Sequence, residues 1–282
     1  MKEEFRHFVF TRVNLGYKDR IGKIKKDLFN EESWLEYRFD IFYNTCLPAM
    51  MNQTNQKFAW FIYLDIETPQ KFIDAVNNKI EGKSNMKVLL KAGSFGSVLQ
   101  HAKDSIMEYG GENSDYLITT RIDSDDMVHF DYVNEIQKRF KNQNYTSINF
   151  NKGLVYDLRL KILGTAINKS NPFISVIEKF DSFESIKTVF HIEHSKFIFE
   201  KERIEIKSGE RMWAMTIHDL NIDTNFYGNP KLFSFSEKIN GFHFSFLNRA
   251  PLSTKFNYKR VFYKKQLKKV IPYVLKKLKL NG

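Results

Sequence analysis

Apolar and polar positions alternate through the first 140 residues in a way that separates buried strands from amphipathic helices. His7-Phe8-Val9-Phe10-Thr11-Arg12-Val13 is a short β-favouring run, followed by the polar stretch around Asn14 and Gly16. Ser33 precedes Trp34 to Phe42, whose apolar residues recur at three and four; this predicts a capped helix running towards Asn55. Phe58 to Leu64 is a continuous apolar strand closed by Asp65, and Thr68-Pro69 is read as the N-cap and first turn of the next helix. Met86 to Leu90 is a third strand, Gly93 and Gly96 punctuate the loop after it, and Val98 to Tyr109 is helical in pattern. Asp115 to Ile122 is a fourth strand that runs into Asp123-Ser124-Asp125-Asp126. Strands alternating with helices mean βαβ units and a mostly parallel sheet, an α/β fold with ligands beyond the carboxyl ends of its strands.

From about Tyr145 the pattern changes to short strand-like segments at Ser147–Phe150, Gly153–Asp157 and Leu160–Ile167. Asn171-Pro172 breaks the chain, Ile174 to Lys179 follows, and residues 189–199 read as a further strand region. This half is mixed α+β. The expected organisation is one domain in two halves, residues 1–140 and 141–250, with a tail at 251–282.

Composition narrows the class. The chain has 282 residues, of which 42% are hydrophobic, 15% aromatic and 27% charged, so general disorder is excluded. A single Cys46 excludes an internal disulfide framework. No apolar run approaches the roughly 18–20 residues that span a bilayer, and the acid-bearing start does not read as a signal peptide. A reducing cytoplasm is the expected compartment.

The net charge of +11 is not spread evenly. From Lys231 onward there are 13 Lys/Arg and one acid, Glu237, whereas residues 1–230 carry 31 bases and 32 acids. A neutral body with a basic tail argues for a local attachment device and not for a basic groove across the whole protein. In the tail, Leu267, Val270, Ile271, Val274, Leu275 and Leu278 form one helical stripe, with lysines on the other sides. Such a helix suits an anionic membrane surface, each basic residue adding on the order of 1 kcal/mol; packing of the stripe on the protein's own body is the alternative. Pro272 is expected to kink the helix or end its first part.

Candidate chemistry concentrates at Arg121-Ile122-Asp123-Ser124-Asp125-Asp126. Three carboxylates in four residues repel one another unless a positive group sits among them. Extended alternation would put Asp123 and Asp125 on one face. A divalent cation with oxygen ligands, shared with a diphosphate, would offset the repulsion; acids capping a solvated turn and the following helix is the other reading. His191 and His194, three apart, lack partners for a tetrahedral zinc site, and zinc is rejected.

The segment 93–133, with its glycine loop, helix, strand, D-x-D-D and His129-Phe130-Asp131-Tyr132, resembles the central part of the GT-A glycosyltransferases of the inverting family-2 pattern. The Thr119–Asp123 lead-in, Asn171-Pro172-Phe173 with Glu178, and Trp213…His218…Asn221 resemble the bacterial rhamnosyltransferase family. The resemblance implies a GT-A-like, Rossmann-like sheet and a metal-dependent enzyme. It implies transfer of a sugar, rhamnose by the narrower likeness, from a nucleotide diphosphate to a bacterial surface glycan or lipid-linked acceptor, with inversion. Residue by residue, it implies Asp125 as the main metal contact, with Mn²⁺ or Mg²⁺, Asp123 at the metal or ribose, and His218 as a further metal ligand or diphosphate donor. Asp126 becomes a second carboxylate behind the metal or on the acceptor side. Thr11, Arg12 and Asn14 fall where base and ribose are held, Asp65 where the nucleobase is contacted, and Gly93 where backbone approaches the nucleotide. Arg121 pairs with phosphate or clamps Asp123. Glu210 and its rival Glu178 are the candidate general bases, although Arg211 stands where the family carries a second acid. The chain is then expected peripherally on the inner face of the plasma membrane, with no nucleic-acid partner. A nucleic-acid-binding protein using the Lys-rich tail and an inactive glycan-binding relative are the competing readings.

Overall fold

The computed structural model describes residues 3–18, 31–207, 209–219, 226–231, 238–239, 241–243 and 250–279; at Phe95, 238–239, His243 and 269–279 it describes the backbone alone. Strands β1 (Glu3–Arg12), β2 (Ala59–Asp65), β3 (Met86–Lys91) and β4 (Ser114–Arg121) alternate with helices α1 (Glu31–Asn44), α2 (Cys46–Met51), α3 (Gln70–Lys79) and α4 (Val98–Glu108). β5 (Met127–Val128) and helix α5 (Tyr132–Gln137) follow, then β6 (Tyr145–Phe150), β7 (Lys152–Asp157), β8 (Ile162–Ile167), β9 (Ile174–Lys179), β10 (Arg203–Ile206) and β11 (Trp213–Ile217). Two-residue strands β12 (Asn229–Pro230), β13 (Lys238–Ile239) and β14 (Phe242–His243) precede the long α6 (Leu252–Lys279).

The main sheet has the order β10-β6-β9-β4-β1-β2-β3. β4, β1, β2 and β3 are mutually parallel, β10 is parallel to β6, and only β9 runs against its neighbours. β2 reads as an unbroken apolar run because both of its faces are buried. Trp60, Ile62 and Leu64 pack on the side of α1 and α2, while Phe61 and Tyr63 pack with Val98, Ala102 and Ile106 of α4. A second sheet, β12-β8-β7-β11-β5, is joined to the first by the turn between β4 and β5. Trp213 of β11 fastens the second sheet: it stacks on Phe173 with centroids 5.3 Å apart and donates from Nε1 to the Phe150 carbonyl at 2.7 Å. A Cβ on the facing Gly153 would lie 2.1 Å from the indole, so only glycine fits there.

Three expectations are corrected and a fourth is narrowed. The first helix contains Ser33 instead of starting after it, and it breaks at Thr45, whose hydroxyl bonds back to the Ile41 carbonyl at 2.6 Å. Thr68 does not cap α3: its hydroxyl donates to the Asp65 carbonyl at 2.6 Å, and Pro69 takes the N-cap position. Residues 189–199 are turns and a 3₁₀ segment, His194–Phe199, because Phe197 is buried and Phe190 half-buried by loop packing and not by a sheet ladder. At Pro272, of the two expected outcomes, the helix does not end: α6 continues to Lys279. The side chains of Val270, Ile271, Val274, Leu275 and Leu278, and Asn221, lie outside the described residues.

Candidate active site

Because β1 to β4 are parallel, their carboxyl ends Arg12, Asp65, Lys91 and Arg121 share one edge of the sheet, and the loops beyond them form the candidate site. The acidic segment is a turn, closed by the Asp126 amide donating to the Asp123 carbonyl at 3.2 Å. It is not extended, so the carboxylates diverge and each finds its own partners.

Asp125 is held by two side chains from distant parts of the chain. Arg38 of α1 reaches its Oδ2 through Nη1 at 3.0 Å, and His218 Nε2 lies 2.9 Å from the same oxygen. Arg38 is itself fixed, donating from Nη2 to Ser124 Oγ at 2.6 Å and from Nε to the Val13 carbonyl at 2.9 Å. Burial alone would raise the Asp125 pKa, but the Arg38 charge and the His218 hydrogen bond outweigh it and hold the carboxyl well below the usual range. Asp126 is the opposite case. It is buried beside Asp125 and Asp123, so its pKa is pushed well up, against the Thr216 amide that donates to its Oδ1 at 2.8 Å.

Asp123 is turned towards arginines. Arg121 Nη2 donates to its Oδ1 at 3.1 Å and Arg12 Nη2 lies 4.0 Å away; together these outweigh burial and lower its pKa. Arg121 Nε is buried with no hydrogen-bond partner among the described residues, an unused donor at the strand end. His218 arrives here because β5, leaving the acidic turn, pairs antiparallel with β11 and delivers the end of β11 to Asp125.

The loop after β1 is tied to the loop after β2. Asp65 Oδ2 accepts from the Gly16 amide at 2.8 Å, Asn14 Oδ1 accepts from the Asp65 amide at 3.2 Å, and Asn14 Nδ2 donates to Thr68 Oγ1 at 2.8 Å. Asn14 and Asp65 therefore brace this edge. Thr11 lies deeper: its buried hydroxyl accepts from Trp60 Nε1 at 3.0 Å. Gly93 has φ +109°, and a Cβ there would meet Ser97 Oγ at 2.6 Å.

The two carboxylates expected to act as bases are not brought to the acidic turn. Glu178 pairs in register with Leu117, four residues before the end of β4, about 13 Å away along the strand. Both of its oxygens are occupied by the Lys187 and Thr188 amides at 2.8 Å, and burial raises its pKa. Glu210 is exposed at the bend before β11, the end opposite His218. A segment read as a strand comes closer. Phe190 sits on Phe10, with the Arg121 guanidinium 6.0 Å from its ring. His194 is half-buried, its pKa lowered first by burial and then by the Arg121 charge, while Asp123 acts to raise it.

A cation fits part of this arrangement. Among the described residues no three His, Cys, Asp or Glu side chains converge, since Asp123 is engaged by its arginines. Asp125 with His218 is a two-ligand set, which suits an ion that takes its other ligands from diphosphate oxygens and water.

The family model described as "Putative rhamnosyl transferase" matches residues 14–228. The chain belongs to this family. No curated protein matches it. Among solved structures it is similar to S. aureus TarS 1-349 in complex with UDP-GlcNAc, at 12% identity and TM-score 0.45, covering 78% of this chain and 62% of that one. The complex of TarS 1-349 with UDP gives 12% identity and TM-score 0.43 over 75% of this chain. A putative nucleotide-diphospho-sugar transferase from Desulfovibrio desulfuricans G20 gives 14% and 0.36, covering 77% of this chain and 83% of that one. The chain spans about three fifths of the TarS 1-349 length.

Proposed function

We propose that this chain transfers a sugar, rhamnose in keeping with its family, from a nucleotide diphosphate to a glycan or lipid-linked acceptor. The observation that carries the reading is Asp125, in the turn after β4, bridged to both Arg38 and His218. Nothing in ordinary turn capping requires an arginine and a histidine from two other elements to converge on one carboxylate. Asp125 and His218 would hold Mn²⁺ or Mg²⁺, which when bound neutralises charge on the leaving diphosphate. Arg121, with its unused buried N–H, and Arg12 supply further positive charge along the same edge, where a departing diphosphate is stabilised. The braced loop of Asn14, Gly16 and Asp65 is the place for ribose and base.

Transfer with inversion needs a proton acceptor for the acceptor hydroxyl. His194 is our candidate in place of Glu178 and Glu210: it lies within electrostatic reach of Arg121 and Asp123, and its lowered pKa keeps the imidazole neutral at pH 7. Beyond the site, α6 presents exposed Leu252, Phe256, Tyr263 and Leu267 within roughly a 60° arc at 100° per residue. Lys259, Arg260 and Lys264 flank that stripe, which suits an anionic membrane surface. No helix of the described residues is long and apolar enough to cross a membrane.

The test is a thermal-shift panel of UDP, dTDP and GDP, and their sugars, with and without Mn²⁺. The expected result is a rise in melting temperature for one nucleotide series that is larger with the metal. No shift from any of them would overturn the reading.

A further inference from the structure

Between the second sheet and α6 lies a groove of about 1480 Å³, outside the donor site. Its walls come from β7, β8, the Phe226–Asn229 segment and the inner face of α6. That volume exceeds the roughly 300–1,000 Å³ of a small-molecule pocket and suits an extended ligand.

Two chemistries line it. Tyr227, Tyr258 and Phe262 offer aromatic faces, with Tyr258 set edge-on to Phe226 at 5.7 Å. Beyond the Arg159–Asp157 pair, Arg211, Lys265 and Lys268 supply three positive charges. Asp157 is fully buried and already neutralised by Arg159, whose Nη2 donates to it at 2.8 Å. Arg211 is pinned to the wall by the Gly153 and Ala166 carbonyls at 3.0 and 3.2 Å. Burial, and after it the Arg211 charge, lower the pKa of the neighbouring Lys231.

One end of the groove adjoins the strand that leads to His218. Asp157 pairs with Ile217, the residue before His218, and the Leu158 amide donates to the Ile217 carbonyl at 2.8 Å. Tyr227 continues the path, donating to Met215 Sδ at 3.4 Å on the same strand.

We propose that this groove binds an acidic oligosaccharide, the sugar rings lying on the aromatic side chains and the acid groups on the arginines and lysines. Resting on the transferase reading above, it is the track along which the acceptor reaches Asp125. Cations matched to acid groups discriminate by charge and rings recognise sugar faces, so neither feature alone accounts for the lining.

Binding to the full chain is measured by calorimetry with hexagalacturonate, with neutral maltohexaose, with inorganic phosphate and with phosphatidylglycerol vesicles. Hexagalacturonate is expected to bind roughly tenfold or more tightly than maltohexaose, the gap set by hydrogen bonds to charged groups. It is expected to lose about the same factor in Lys265→Glu/Lys268→Glu, two exposed positions whose change leaves the fold intact. Tyr258→Ala should weaken both sugars. Equal affinity for the two hexasaccharides, an unaffected double variant, or binding by phosphate or vesicles alone would overturn the proposal. Binding of the nucleotide sugar selected by the thermal-shift panel, read in the same variants, should not change. A protein that binds hexagalacturonate but no nucleotide would keep the groove and remove the transferase reading.

Discussion

Arg38 and Asp125 lie 87 residues apart in sequence and 3.0 Å apart in space, with side chains only 10% and 15% exposed. The pair joins the first helix to the acidic turn and lets three carboxylates stand within four residues. Removing one partner of a buried pair leaves the other uncompensated. Arg38→Met is expected to lower stability by about 3 kcal/mol. Calorimetric melting should also show a larger gain from Mn²⁺ in the variant than in the wild type, because the ion then supplies the missing charge. An unchanged melting point would mean that the turn does not depend on Arg38.

Glu178 is expected to act through structure. Its two oxygens accept from the Lys187 and Thr188 amides, which order the loop carrying Phe190 and His194. Glu178→Gln turns an amide N–H₂ towards one of those donors and should cost about 1–3 kcal/mol. Turnover of the folded variant below its melting range should stay near wild type. A stable variant without turnover would restore Glu178 as the base.

His194 gives a dependence on pH with a definite sign. Burial and Arg121 lower its folded pKa below the unfolded value near 6.5. The folded state therefore binds fewer protons than the unfolded one. The stability from this group is present above pH 6.5 and is lost as pH falls through the folded value. The acid limb of kcat/KM should lie below the free-imidazole value, and His194→Gln should reduce kcat by about 10²–10⁴-fold. An acid limb at or above 6.5, or a fully active variant, would remove His194 from the reaction. Glu193→Gln, its exposed neighbour, serves as the comparison.

The outer stripe of α6 makes a separate prediction. Phe256→Asp with Leu267→Asp should abolish co-sedimentation with phosphatidylglycerol vesicles and leave donor binding intact, since both side chains point away from the groove. Wild-type binding should fall steeply as salt rises. Salt-independent binding, or retention by the double variant, would place the stripe elsewhere.

How much of this was legible in the sequence follows the range of each interaction. The alternation from Phe8 to Arg121 disclosed the parallel strands because burial on both sheet faces leaves a local mark, as at Trp60 to Leu64. The acidic turn stood out for its composition, and its family likeness named the chemistry. What the acids touch did not show, since Arg38, His218 and Thr216 are brought in by long-range packing. Extended alternation failed at Asp123 and Asp125 because the backbone turns between them. Residues 189–199 misled for a related reason: Phe190 and Phe197 are apolar because of loop burial, and spacing alone cannot distinguish that from a strand. The groove was invisible, being assembled from five separate segments between Asp157 and Lys268.

The most direct test of the account is release of sugar from the preferred nucleotide-sugar donor, with Mn²⁺ present and after its removal by chelation, in wild type and in Asp125→Ala. The account predicts that chelation silences the wild type and that the substitution lowers turnover at least ~100-fold, the loss of several kcal/mol of charge stabilisation. Full turnover in Asp125→Ala would contradict it.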